Sequence, residues 1–333
     1  MTVNVKVKSM KAVIREDYGP ATQVLRLTET AQPVPTDDEV LVRVQAAGVD
    51  PSVWHLMTGR PYLVRIMGFG LRRPKVKAVG ADLAGVVETV GSNVTRFRPG
   101  DRVFGVGQGS FAEYSRARAD RLAPMPANLD YEHAAAVPIS GMTALQGLRD
   151  AGRIKAGQKV LVIGAGGGVG TFAVQIAAAL EAEVTGVCSS TKMDLVRSLG
   201  AQRVIDYGQE DFVDERRQYD LILDAGGRRP LSQLRRALTK RGTLVIVGGE
   251  GGGPWLGGLE RQLGALILSP FVAQSLKPMF SPERQADLVA LKDLIEAGQV
   301  TPALDRTYPL SETQAAIDYV AGGHAHGKVV ITI

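Results

Sequence analysis

The stretch that decides the fold is Val160-Leu161-Val162-Ile163, followed by Gly164-Ala165-Gly166-Gly167-Gly168-Val169-Gly170. Four consecutive apolar residues are typical of a strand that is buried on both faces of a sheet. The glycines allow the backbone to approach a ligand closely, and residues 171–180 then have the pattern of a helix. This order predicts a dinucleotide site, because free amides at a helix N-terminus bind a pyrophosphate. The register is Ala165-x-Gly167-x-x-Gly170, with alanine in place of the first glycine.

The chain has a different character on the two sides of residue 131. Residues 183–247 alternate strands with helices, which predicts a parallel, doubly wound sheet. The first 125 residues instead contain short strands, such as 40–47, 85–91 and 101–105, between turn-forming residues. A chain of 333 residues is also long for one hydrophobic core. The predicted fold class is therefore α/β, with an all-β domain and a second domain built on a doubly wound parallel sheet.

The end of the next predicted strand, 183–188, indicates which nicotinamide cofactor is bound. NAD sites carry an acid here, which bonds the ribose hydroxyls. This strand runs instead into Ser189, Ser190, Thr191 and Lys192, with no acid before Asp194. Ser189, Ser190 and Lys192 would supply donors and one positive charge to a 2′-phosphate, so we expect NADPH in preference to NADH. Ser190 or Thr191 would also suit the N-cap of the following helix, and both roles are compatible.

The composition argues against several functional classes. The single cysteine, Cys188, fits a reducing compartment and excludes an internal disulfide. The 39 basic residues exceed the 34 acidic ones, but they are scattered and aromatic residues make up only 5%, which is not typical of a nucleic-acid binder. No apolar run approaches the ~20 residues of a membrane helix, and the N-terminus lacks the apolar core of a signal peptide. We therefore expect a cytoplasmic protein that acts on a small molecule, with no nucleic-acid and no membrane partner.

Six motifs, spread in order over essentially the whole chain, carry a family resemblance. They are Ala46-Ala47-Gly48-Val49-Asp50-Pro51, Gly80-Ala81-Asp82-Leu83-Ala84-Gly85, Phe97-Arg98-Pro99-Gly100-Asp101-Arg102-Val103, Gly109-Ser110-Phe111-Ala112-Glu113-Tyr114, Ser140-Gly141-Met142-Thr143-Ala144-Leu145 and the turn 165–170. With them the sequence resembles the zinc-free, quinone-oxidoreductase-like branch of the medium-chain dehydrogenase/reductase superfamily. The resemblance implies a GroES-like catalytic domain (1–130), a Rossmann NADPH-binding domain (131–268) and a C-terminal segment (269–333) that returns to the catalytic domain.

The resemblance also implies where the cofactor lies. Thr143 is expected near the nicotinamide, and Tyr207 is expected to stack near the 2′-phosphate or to bond it. An ordinary half-exposed tyrosine at a strand end is the alternative for Tyr207. The expected cofactor-binding residues are Thr143, Gly166, Gly167, Gly168, Val169, Ser189, Ser190, Lys192, Tyr207, Gly248 and Gly249.

Two positions argue against a metal site. Zinc-dependent relatives hold the catalytic ion with a cysteine, a histidine and a further cysteine or acid. Here Asp50 takes the place of the first ligand and Ala81 that of the histidine. None of the four histidines has a cysteine partner, whereas a catalytic zinc site needs three protein ligands. We therefore expect a reaction without a metal.

The segment that begins at Asp50 supplies the candidate catalytic residues. Without zinc, hydrogen-bond donors must stabilise a developing oxyanion, unless the substrate is an activated alkene. The spacing of Ser52 and His55 resembles the relay of zinc alcohol dehydrogenases, in which a hydroxyl passes a proton toward a histidine. Many zinc-free relatives carry Asn where Asp50 stands and Asp where Val53 stands, so this sequence departs from them. Tyr62 is a second candidate donor and water a third, while His55 and Tyr62 also suit purely structural roles.

These residues predict a zinc-independent oxidoreductase that transfers a hydride from NADPH to a quinone, an enone or another small carbonyl substrate. One alternative is an NADPH-binding sensor or structural protein with little turnover. The other is an alcohol dehydrogenase, which Ala81 and the absence of cysteine ligands oppose. The sequence leaves the physiological substrate open.

The apolar run 264–268 bears on assembly. It follows the strand 243–247 and carries no charge, so we predict that it is an edge strand that needs covering. Relatives pair this strand with its twin across a two-fold axis, so a homodimer is expected. The alternative is that residues 266–268 pack beneath the chain's own tail.

Overall fold

The computed structural model describes residues 8–213, 218–248 and 255–333. In these residues none of the helices combines the length and the apolar character that crossing a bilayer requires. The strands are β1 Ser9–Arg15, β2 Leu25–Ala31, β3 Glu39–Val49, β4 Asp82–Val90, β5 Arg102–Val106, β6 Tyr114–Arg118, β7 Leu122–Pro124, β8 Lys159–Ile163, β9 Glu183–Cys188, β10 Arg203–Asp206, β11 Tyr219–Asp224, β12 Leu238–Ile246, β13 Ser275–Pro278, β14 Leu304–Pro309 and β15 Lys328–Thr332. The α-helices are α1 Ala21–Val24, α2 Pro51–Thr58, α3 Tyr62–Val64, α4 Tyr131–Ala135, α5 Pro138–Gln146, α6 Gly168–Ala179, α7 Met193–Ser198, α8 Leu231–Ala237, α9 Leu259–Leu268, α10 Gln285–Glu296 and α11 Thr313–Ala321.

The parallel sheet confirms the predicted doubly wound domain. Its strand order is β10-β9-β8-β11-β12-β13. Along β8, Val160 and Val162 belong to one apolar cluster, while Leu161 and Ile163 belong to another. Since successive side chains of a strand point to opposite faces of the sheet, the two clusters lie on opposite faces. Helix α6 packs into the first cluster and α8 into the second, which is why β8 is apolar throughout.

The second large sheet has the order β14-β15-β3-β4-β5-β7, and β6 also pairs with β3. Neighbouring strands are antiparallel apart from β14 and β15. This is the GroES-like domain that the resemblance implies. Strand β15 comes from the C-terminal segment and pairs with β3, with Val329 opposite Val49. The end of the chain is therefore built into the N-terminal domain.

One predicted element is wrong. Residues 264–268, expected to form an edge strand, are the second half of helix α9. A short apolar run is compatible with either structure, and periodicity alone does not distinguish them. The sixth strand of the parallel sheet is β13, which pairs with β12. The sheet therefore continues past residue 268, the expected end of the Rossmann domain.

Candidate functional site

The cofactor turn, Gly164–Gly170, connects the carboxyl end of β8 to the N-terminus of α6. A Cβ atom on Gly170 would lie 2.1 Å from the carbonyl oxygen of Gly164, so only glycine fits there. Helix α6 is 12 residues long and begins at Gly168. The amides of Gly168, Val169 and Gly170 donate to no backbone carbonyl of the described residues. They leave three donors at the positive end of a helix, which fits the pyrophosphate of a dinucleotide.

The residues predicted to bind the 2′-phosphate lie together at the carboxyl ends of β9 and β10, which are parallel neighbours. Ser189 Oγ is 3.2 Å from Thr191 Oγ1, and the side chain of Ser190 is exposed. Tyr207 is 58% exposed, and its backbone amide donates to the Cys188 carbonyl. The structure therefore brings the two serines and the tyrosine to the same edge of the sheet.

Lys192 lies across the cofactor turn. A Cβ atom on Gly166 would be 2.7 Å from Lys192 Cδ. Lys192 Nζ donates to the carbonyls of Gly323, at 3.2 Å, and Ala325, at 2.5 Å. The ammonium therefore ties the turn to the loop before β15, and a phosphate bound by Lys192 would replace these carbonyl acceptors.

The other predicted cofactor residues lie on two further elements. Thr143 is buried within α5. Gly248 follows β12, and Gly249 lies outside the described residues. Because the carboxyl ends of parallel strands gather at one edge of a sheet, Gly248 is on the same edge as the cofactor turn.

A buried charge cluster, made of Asp50, Asp82, Ser140 and Lys328, lies beside the cofactor turn. Lys328 Nζ donates to Asp50 Oδ1 at 2.5 Å and lies 3.1 Å from Ser140 Oγ. The Ser140 hydroxyl also donates to Asp50 Oδ1, at 2.9 Å, and Asp82 Oδ2 is 3.6 Å from the ammonium. None of the four residues is more than 5% exposed.

The strand register produces this cluster. Val329 of β15 lies opposite Val49 of β3 in an antiparallel pair, so Lys328 and Asp50 are cross-strand neighbours one residue further on. Asp50 is also the N-cap of α2, but its side chain makes no capping hydrogen bond, because it is bound to Lys328 and Ser140.

The charges of the cluster are set by burial and by mutual attraction. Burial and the neighbouring charge of Asp50 raise the pKa of Asp82 well above its usual range. Burial is the largest influence on Asp50 and opposes its ionisation, but the charge of Lys328 and the hydrogen bonds from Asp82, Lys328 and Ser140 together outweigh it, so the pKa of Asp50 is lowered. Burial disfavours the ammonium of Lys328, yet the two carboxyl groups raise its pKa. These shifts favour an ion pair between Asp50 and Lys328 and the neutral form of Asp82.

The two residues of the predicted proton relay, Ser52 and His55, make separate contacts. Ser52 is exposed in the first turn of α2. His55 Nδ1 lies 3.0 Å from the carbonyl oxygen of Arg60, and the ring packs edge-on against Trp54. In the part of the chain that the structure describes, no hydrogen bond joins Ser52 to His55. Asp50 is bonded to Lys328 and Ser140, and not to His55.

Tyr62 belongs to a wall of aromatic and cationic side chains between the two domains. Its ring meets that of Trp255 edge to face, with centroids 5.3 Å apart. The Arg65 guanidinium lies 5.0 Å from the Tyr62 ring and 4.4 Å from the ring of Tyr18. The Leu63 amide donates to the Trp255 carbonyl, which fixes the two sides of the wall together.

Sequence reasoning missed three of the four cluster members as site residues. Asp82 and Ser140 are part of family motifs, but nothing in those motifs pairs them with Lys328. The available signal was Lys328 itself, a lysine at the start of the apolar strand β15, because lysine is almost never fully buried without a partner. A second unpredicted pair joins Arg261 of α9 to Asp224, which is fully buried at the carboxyl end of β11.

Metal ligands are scarce around this site. Among the residues with described positions, no three His, Cys, Asp or Glu side chains are grouped so that they could hold an ion. Burial and the charge of Asp206 raise the pKa of Cys188 to about 11, which disfavours the thiolate that binds metals. The Asp50 carboxylate is already engaged by Lys328.

Comparison with known proteins gives two family matches: residues 36–127 match the alcohol dehydrogenase GroES-like domain, and residues 199–331 match a zinc-binding dehydrogenase family. Quinone oxidoreductase of Homo sapiens is 30% identical, over 98% of this chain and 98% of that protein. The mitochondrial NAD(P)H oxidoreductase RTN4IP1 of Homo sapiens is also 30% identical, over 97% of this chain and 89% of that protein. The structure of the quinone oxidoreductase from Coxiella burnetii superposes with a TM-score of 0.84 at 26% identity, covering 98% of this chain and 100% of that one.

Proposed function

This chain belongs to the zinc-free, quinone-oxidoreductase-like branch of the medium-chain dehydrogenase/reductase superfamily, and we propose its reaction on that basis. The family consists of oxidoreductases that use nicotinamide cofactors. In the proposed reaction, a hydride passes from NADPH to a quinone, an enone or another small carbonyl substrate without a metal ion. The observation that carries the proposal is the pairing of Asp50 with Lys328 beside the cofactor turn. Asp50 stands where zinc-dependent relatives have their first ligand, and here it holds an ammonium group.

Preference for NADPH is supported by the edge that β9 and β10 share. Ser189 and Ser190 offer hydroxyl donors there, and the strand-end acid of NAD sites is absent from the sequence. Lys192 adds a positive charge next to Gly166 of the turn. When bound, NADPH supplies the hydride. The chain's own part is to hold the pyrophosphate at Gly168–Gly170 and the 2′-phosphate at Ser189, Ser190, Lys192 and Tyr207.

Hydrogen-bond direction restricts the form in which His55 could supply the proton. A neutral His55 that donates from Nδ1 to the Arg60 carbonyl has no proton on Nε2, so only its charged form can donate a proton to a substrate. Tyr62 has a phenolic hydroxyl, which can donate a hydrogen bond, and its ring lies on the aromatic wall. We propose to test three proton donors: Tyr62, charged His55 and water. Ser52 is an exposed hydroxyl residue of the same segment as His55.

The experiment is a measurement of NADPH oxidation against quinones, enones and aldehydes, with NADPH binding measured separately on the same protein. Turnover with at least one of these classes is the expected result. Tight NADPH binding without turnover on any class would favour a sensor. Alcohol oxidation that requires added zinc would favour an alcohol dehydrogenase instead.

We further propose that the protein acts in the cytoplasm as a homodimer. The single, buried Cys188 suits a reducing compartment. Two features support the dimer. Strand β13 is at the edge of the parallel sheet, and an open edge can pair with another chain. Helix α9 exposes the apolar side chains of Leu263, Leu266 and Ile267, which a partner could cover.

A further inference from the structure

Lys328 is attached to the cofactor turn through both its neighbour and its own side chain. The amide of Gly327 donates to the Gly166 carbonyl at 3.0 Å, and Gly327 forms a parallel bridge with Gly167. A Cβ atom on Gly168 would lie 3.1 Å from Lys328 Cδ. The aliphatic part of Lys328 therefore packs directly against the turn, where glycine permits the approach.

The other end of the same side chain holds the segment that carries the candidate catalytic residues. We define the catalytic segment as Asp50 together with α2, Pro51–Thr58. The Asp50 carboxylate accepts hydrogen bonds from Lys328 Nζ and Ser140 Oγ. Ser140 lies in the first turn of α5, which also carries Thr143. Lys328 thus contacts the turn directly, the catalytic segment through Asp50, and α5 through Ser140.

The charge of the cluster is balanced by this single cation. Lys328 is the only cation within 4 Å of a carboxylate oxygen of Asp50 or Asp82 in the described residues, and both aspartates, taken as whole residues, are at least 95% buried. Asp82 Oδ2 lies 3.6 Å from the ammonium and Asp50 Oδ1 only 2.5 Å from it, so Asp50 is the closer partner of Lys328. Removing the ammonium would leave Asp50 without its cation and free the catalytic segment from the turn.

We propose that Lys328 is a positioning residue, which fixes the catalytic segment relative to the cofactor turn through its ion pair with Asp50. The inference rests on the proposed function, because the turn is taken to be the NADPH site. In this role, the buried ammonium of Lys328 keeps the catalytic segment at a fixed position relative to the cofactor turn. Lys328 itself is covered, so it acts through Asp50 and the turn and does not touch the substrate.

The test compares Lys328→Met, which keeps the length and removes the charge, with Lys328→Arg, which keeps the charge. Arg149→Met is the control, because Arg149 also pairs with a buried carboxylate, that of Asp287, but its hydrogen bonds involve neither the turn nor α2. For each variant, Tm, the NADPH Kd from cofactor fluorescence, and kcat and KM are measured. We expect Lys328→Met to lower kcat and weaken NADPH binding, each by roughly 10- to 100-fold, and Lys328→Arg to recover most of both.

Arg149→Met should lower Tm and leave kcat and Kd unchanged. A folded Lys328→Met with wild-type kcat and Kd would overturn the proposal. Equal losses in Arg149→Met would also overturn it, because they would show that any loss of stability has this effect. If Lys328→Met does not fold, Asp50→Asn with Lys328→Met removes both charges, and wild-type kinetics in that folded double variant would refute the positioning role.

A measurement on the wild-type protein tests the proposal independently of whether the variants fold. Hydrogen–deuterium exchange is followed with and without NADPH. Binding should slow exchange in the turn Gly164–Gly170 and also in the catalytic segment. Protection of the turn without any change in the catalytic segment contradicts the link through Lys328. Absence of protection in the turn means that the proposed NADPH function has failed, which is a different result.

Discussion

Lys328 Nζ lies 2.5 Å from Asp50 Oδ1, although 278 positions separate the two residues along the chain. Strand β15 brings the lysine back to β3, so the last strand of the chain completes a buried charge pair. Removing one partner of a buried ion pair typically costs about 3–5 kcal/mol, because the remaining charge is left in a poorly polarisable interior. The contact therefore makes the C-terminal segment part of the site.

The first prediction concerns Asp82 and pH. Its pKa is raised in the folded protein, so the stability gained from the protonated form is fully present below about pH 3.9, the ordinary value. That stability is lost as the pH rises toward the folded-state pKa, by up to about 1.4 kcal/mol per pH unit for one proton. Asp82→Asn removes the titration, so its free energy of unfolding should rise relative to that of the wild type as the pH increases above about 3.9 toward the folded-state pKa. Denaturant unfolding at several pH values measures this difference.

Asp82→Leu serves as the control for shape, since it also lacks a titrating group but cannot accept the hydrogen bond from the Ile139 amide. It should show the same pH trend as Asp82→Asn on a lower overall stability. Parallel pH profiles for the wild type and Asp82→Asn would show that Asp82 is ionised in the folded protein.

The second prediction concerns cofactor choice. Lys192→Ala should weaken NADPH binding by about 1–3 kcal/mol, roughly 5- to 150-fold in Kd, because a charge-assisted hydrogen bond to the 2′-phosphate is lost. NADH lacks that phosphate, so its Kd should change little. Arg197→Ala is the matched control, since Arg197 is a cation of α7 that is paired with Asp194. Equal losses for NADPH and NADH would instead assign Lys192 to holding the carbonyls of Gly323 and Ala325.

The third prediction concerns assembly. Light scattering should give twice the 35.4 kDa mass of one chain. Helix α9 exposes Ile267 at 71% and Leu266 at 56%, so Ile267→Lys should shift the protein to monomers. Val34→Lys is the control, because Val34 is a 79% exposed apolar residue on the other domain. A wild-type monomer would refute the dimer, and an Ile267→Lys dimer would place the interface elsewhere.

The sequence predicted the fold where local pattern and tertiary structure agree. The run 160–163 is apolar because both faces of β8 are covered by helices, and Gly170 after it is required by a close contact with the Gly164 carbonyl oxygen. The prediction of a strand at 264–268 was wrong, because four apolar residues in a row also occur in a helix that buries one side and exposes the other. The partner of Asp50 could not be predicted from a local pattern, since it depends on the register between β3 and β15. The contacts of Lys192 with the loop before β15 were missed for the same reason.

The measurement that tests the central claim most directly is the rate of substrate-dependent NADPH oxidation before and after exhaustive chelation, with the metal content of the protein determined in parallel. The proposal of a metal-free reaction rests on the engagement of Asp50 by Lys328, and in the described residues no three potential ligands are grouped. We predict that the purified protein carries no stoichiometric zinc and that its rate is unchanged by chelation. One zinc per chain, removed together with the activity and restored with it, would contradict the account.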